Sequence, residues 1–120
     1  MKSAYEAYGI SHKNSLKGRT LEAESFMKAV TLLKRAEDFP QNKRLLAQAL
    51  EYTRKLWTIV QADLKSPDNQ LDDKLKAKLL SLSLYVDKTC LEVIKKPHPH
   101  ALQGLIDVNQ NVARGLFSTG

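Results

Sequence analysis

A single cysteine, Cys90, stands in 120 residues, so no intramolecular disulfide can form. Set inside an apolar helical run, that cysteine reads as a small buried hydrophobe rather than a nucleophile. No stretch approaches the roughly 20 apolar residues of a membrane span. The N-terminus, Met-Lys-Ser-Ala-Tyr-Glu-Ala-Tyr, has no apolar region of the signal-peptide kind. A soluble, cytoplasmic protein is therefore expected. Glycine (5) and proline (4) are few, and leucine dominates the aliphatic residues, which favours helix over strand.

Familiar chemical motifs are missing too. There is no P-loop and no dinucleotide fingerprint, so no cofactor is expected. Ser81 and Ser83 lie in an apolar helical run and not on a strand-to-helix elbow. The carboxylate pairs Glu37-Asp38 and Asp72-Asp73 fall near helix ends, where capping and the helix dipole explain them. His98 and His100 alternate with prolines and could chelate a metal weakly. No Cys, His or carboxylate set lies near enough to complete a site, so a solvated connector is the better reading and no metal is expected. With no catalytic set in view, a non-enzymatic protein is the expectation.

The formal net charge is +6, which draws nucleic acid, anionic lipid or acidic proteins. The cations are scattered, however. Lysines interleave with acids along the whole chain, no run of five basic residues occurs, and arginine is scarce beside lysine. That pattern suits a solvated surface better than a phosphate-reading one.

What the chain does have is helical periodicity. A first long helix is predicted from Thr20 to Glu37, with Phe26, Ala29, Val30 and Leu33 on one side and Phe39-Pro40 ending it. A second runs from Asn42 to Lys65. Leu46, Leu50, Thr53, Trp57, Val60 and Leu64 share its apolar face, with Thr53 read as the solvent edge. Ser66-Pro67-Asp68-Asn69 is a turn. The third helix starts near Leu71, with Asp72 and Asp73 in its first turn, and closes at Lys95-Lys96. It is apolar on two sides: Leu75, Leu79, Leu82, Val86 and Val93 form one stripe, and Leu80, Leu84, Leu91 and Ile94 another. Such a helix is either central in a bundle or keeps one face for a partner. A last helix runs from Pro99 to Phe117, with Leu102, Leu105, Ile106, Val112, Ala113 and Leu116 on one face. Asn109 falls within that face, so it must be hydrogen-bonded or turned to a partner.

The fold expected is all-α: one domain over residues 1–120, a compact bundle of four main helices with a short N-terminal helical segment. Ser3 to Tyr8 can form that segment within a partly ordered arm over residues 1–17. Tyr5 and Tyr8, three apart, either dock on the core or recognise a partner. Trp57, the one tryptophan, is either a core anchor or a partner hot spot, and its place in the stripe favours the anchor. The residues expected to bind a partner are Tyr5, Tyr8, Leu80, Leu84, Leu91 and Asn109.

Four blocks in order resemble the FlaF family of bacterial flagellar proteins. They are Ala4-Tyr5; Arg19-Thr20-Leu21-Glu22-Ala23; Ala49 to Trp57 (ALEYTRKLW) followed by Asp63-Leu64 and Asn69-x-Leu71; and Leu80 to Val86 (LSLSLYV) with Leu105 to Leu116 (LIDVNQNVARGL). Two positions depart: the family often has asparagine where Thr53 stands and proline where Asp72 stands. The resemblance implies a regulator of flagellin production that works opposite a partner, FlbT, and that is linked to flagellin binding and export in the manner of a secretion chaperone. Flagellin, through its amphipathic terminal helices, is the partner so implied, with a FlbT-type regulator as a second. The basic charge keeps one alternative open: an RNA-binding regulator acting on flagellin messenger RNA. Steep salt dependence would mark it, although no exposed aromatic-basic cluster supports it.

Overall fold

A computed structural model describes residues 16–69, 71–97 and 99–117. These form four helices: α1 (Leu16–Asp38), α2 (Lys43–Lys65), α3 (Asp73–Lys95) and α4 (Pro99–Phe117). No strand occurs among the described residues. The all-α bundle expected from periodicity is therefore the fold. The Ser3–Tyr8 segment lies outside the described residues, as does the side chain of Leu116.

Local chemistry sets the helix ends. α1 begins at Leu16, four residues ahead of the expected Thr20, and Gly18 does not interrupt it. One glycine in a helix costs only about 1 kcal/mol. Asn42, expected inside α2, is its cap: Oδ1 accepts from the Leu45 N–H at 3.1 Å. Asp72 does the same for α3, accepting from the Leu75 N–H at 2.8 Å. Its carboxylate also sits where the positive end of the helix dipole favours it. Proline opens α4 at its first position, where a missing N–H costs nothing.

A hydrogen-bonded corner joins α2 to α3. The Asn69 Oδ1 accepts from the Leu71 N–H at 3.0 Å, and its Nδ2 donates to Asp63 Oδ2 at 3.4 Å. Asn69 and Leu71 are both buried. The Asp63, Asn69 and Leu71 positions quoted for the family resemblance are thus one structural unit.

The helices surround one core, with α1 packed most extensively on α4, then α1 on α2 and α2 on α3; the α3–α4 contact is slighter than these. Phe26, Val30 and Leu33 enter from α1; Leu50, Trp57, Val60 and Leu64 from α2; Leu79, Val86, Cys90 and Val93 from α3; Leu105, Ile106 and Val112 from α4. Trp57 is fully buried, its ring edge-on to Phe26 at 5.7 Å and 73°. The sequence pattern puts Thr53 at the solvent edge of the stripe, but it is fully enclosed. Its hydroxyl donates to the Ala49 carbonyl at 2.8 Å, so burial leaves no polar group unmet.

Candidate functional site: an apolar groove between α2 and α3

Both stripes of α3 have the spacing of a buried face, yet only one is covered. Leu79, Val86 and Val93 are in the core, while Leu75 and Leu82 are half-buried. From the other stripe, Leu84 is 66 % exposed, Leu91 45 % and Ile94 54 %, and Leu80 is half-buried against the core. The reason is geometric. Among the described residues, α3 packs on α2 and more lightly on α4, and Leu84, Leu91 and Ile94 stay exposed outside these contacts. On α2, Ile59 is likewise 60 % exposed.

Of these side chains, Ile59 and Ile94 line a groove of about 720 Å³. α2 supplies its floor and one wall through Ala47, Leu50, Arg54, Thr58 and Ile59, and Ile94 closes it from α3. Leu91 and Leu84 continue the apolar edge along the same face of α3, by their helical spacing. A hydrogen bond from Gln61 Nε2 to Asp87 Oδ2, 3.0 Å, ties the two helices together. Glu51 and Lys55, both on the groove lining, form an ion pair at 2.9 Å that holds the Glu51 carboxyl below the usual carboxylate range.

Of the six residues expected to bind a partner, Leu84 and Leu91 lie on this uncovered face, with Leu80 half-buried at its edge. Tyr5 and Tyr8 lie outside the described residues. Asn109 is corrected: it is fully buried and belongs to the core. Its Oδ1 accepts from Trp57 Nε1 at 2.9 Å, and its Nδ2 donates to the Leu105 carbonyl at 2.8 Å. With its oxygen and its nitrogen each bonded inside the core, this amide is out of a partner's reach. Sequence reasoning missed Ile59, whose signal was available: it is a large apolar residue on the polar side of the α2 pattern.

The Trp57–Asn109 bond gives a first prediction. Asn109→Ala strands the indole N–H in a dry core, where an unmet donor costs about 1–3 kcal/mol. Urea unfolding should register that loss. Adding Trp57→Phe to Asn109→Ala should cost less than the sum of the two single changes, since no donor is then stranded.

Two titratable groups are shifted by burial. The Cys90 thiol is pushed up to about 12, chiefly by loss of water around it, with Arg54 opposing and Asp87 adding to the rise. Such a thiol carries almost no thiolate at neutral pH. Glu22, on α1, is raised to about 8 by burial first and by the negative charge of Asp63 second. The folded state thus holds the Glu22 proton more tightly than the unfolded chain does. Stability from this source is fully present below about pH 4.5 and is lost as the pH rises through about 8. Thermal unfolding should show a midpoint falling between pH 5 and pH 8.5, and Glu22→Gln should flatten that fall.

Among the described residues, no three His, Cys, Asp or Glu side chains gather as a metal site would require, and no helix is long and apolar enough to cross a membrane.

Fold and surface together define a small all-helical protein with a covered polar-anchored core and an uncovered apolar groove. The family model for the flagellar protein FlaF matches residues 3–116, and the chain belongs to the FlaF family. It is thus a flagellum-related protein. Neither the comparison with curated proteins nor that with solved structures finds a match.

Proposed function

We propose that this FlaF-family protein is a non-enzymatic regulator that binds flagellin in the cytoplasm and promotes its synthesis and export as a secretion chaperone. Flagellin polymerises through amphipathic terminal helices whose apolar faces must be covered before export. The observation that carries the reading is the groove between α2 and α3, lined by Ile59 and Ile94, with exposed Leu84 and Leu91 further along α3. A helix laid into it would exchange two wetted apolar surfaces for one dry contact, the helix-in-groove mode of recognition. The lining from Ala47 to Ile59 is about 18 Å long at 1.5 Å per residue, which accommodates roughly three turns of a partner helix. Regulation would follow if flagellin and a FlbT-type partner compete for the same protein.

Co-expression with the flagellin of the same organism, followed by size-exclusion chromatography, tests the reading. Co-elution is expected, and its failure removes the chaperone role. Co-purified RNA released steeply by salt would instead favour the messenger-binding alternative.

A further inference from the structure

The groove is not charge-neutral. Its ionisable lining consists of Glu51, Arg54 and Lys55. Glu51 and Lys55 neutralise each other through their ion pair. Arg54 has no ion pair among the described residues. Asp87, across the seam on α3, keeps its negative charge while accepting from Gln61, but it does not line the groove. One guanidinium is left beside the apolar contacts of Leu50, Ile59 and Ile94. On the outer side of α3, Lys88 and Lys95 are exposed and follow Leu84 and Leu91 by four residues each, on the same helical face. Glu92 is the acidic residue on that side.

We infer that the groove selects an amphipathic helix carrying a carboxylate beside its apolar ridge, with Arg54 as the residue that recognises it. This rests on the flagellin-binding reading for the identity of the helix and on the lining itself for its chemistry. A planar guanidinium presents paired donors that match the two oxygens of a carboxylate, which lysine cannot reproduce. The apolar wall alone would accept a leucine ridge of any flank. Arg54 makes the choice directional: it rewards an acidic flank and rejects a basic one.

The test uses the full chain and synthetic 18-residue helical peptides with one leucine ridge and flanks of glutamate, glutamine or lysine. Binding is read by fluorescence anisotropy. The glutamate peptide should bind about tenfold more tightly than the glutamine peptide, with the margin shrinking at high salt. Arg54→Gln should erase the margin, and Arg54→Glu should shift preference to the lysine peptide. Arg54 is exposed, and matched unfolding curves would show that both variants keep the fold. Equal affinity for the glutamate and glutamine peptides, binding of neither, or an unchanged preference in Arg54→Glu overturns the inference. Self-association that Leu91→Asp abolishes, with no peptide bound, would give the groove to a second copy and also overturn it. Flagellin co-elution separates the two readings. Co-elution undiminished by Arg54→Glu refutes the acidic selectivity and spares the chaperone role. Peptide discrimination without flagellin co-elution does the reverse.

Discussion

Trp57→Ala is expected to destabilise the fold by about 3–5 kcal/mol, the range for emptying a buried aromatic site. Against the 5–15 kcal/mol that holds a domain of this kind together, this is a large fraction. Three losses coincide at this residue. The indole is fully buried, so its whole apolar area leaves the core. The edge-on contact with Phe26 disappears. Asn109 Oδ1, which accepted the indole N–H, is left without a donor in the interior. Trp57→Phe should cost less, since it keeps an aromatic ring against Phe26 while losing the hydrogen bond and part of the ring volume. Chemical denaturation followed by far-ultraviolet circular dichroism separates the two variants. A Trp57→Ala loss under 1 kcal/mol would mean that the site collapses around the missing ring and that the tryptophan is not the anchor.

The second large effect concerns binding. Leu84→Asp and Leu91→Asp should each weaken flagellin binding by about 30-fold or more, the 2 kcal/mol expected of a groove hot spot. Stability should change by no more than about 0.5 kcal/mol, because both side chains already face water. Titration calorimetry and urea unfolding on the same samples measure the two quantities. Loss of binding with the fold intact assigns this face to the partner. Unfolding of Leu84→Asp would place Leu84 in the core, against its exposure. Asn109→Ala is the contrasting variant: it should lose stability, and its binding should fall only as far as its folded fraction does.

Much of this architecture is legible in the chain itself. Four helices follow from apolar spacing, and their ends follow from Asn42, Asp72, Phe39-Pro40 and Ser66-Pro67, whose effects reach only a turn or so. Asn109 shows where local reading stops. A polar residue in an apolar face must be satisfied or exposed, and the spacing allows both. The partner that decides it, Trp57, lies 52 residues away in the chain. The positions that carry the family resemblance prove to include both ends of this bond, as well as the corner built on Asp63, Asn69 and Leu71. Thr53 illustrates the same limit. Its hydroxyl suggested a solvent edge, yet a backbone carbonyl four residues earlier satisfies it in full burial.

The sequence by itself determined that the protein is a helical bundle without a disulfide, that Trp57 lies on a core face, and that α3 carries more apolar surface than one face needs. Tertiary structure alone decided which surface is surplus. Leu79–Val86–Val93 and Leu84–Leu91–Ile94 have equivalent helical periodicity, so hydrophobicity cannot rank them. The rank comes from where α1, α2 and α4 stand around α3. Burial is a property of the space between helices, and that space is defined only when all four are in place.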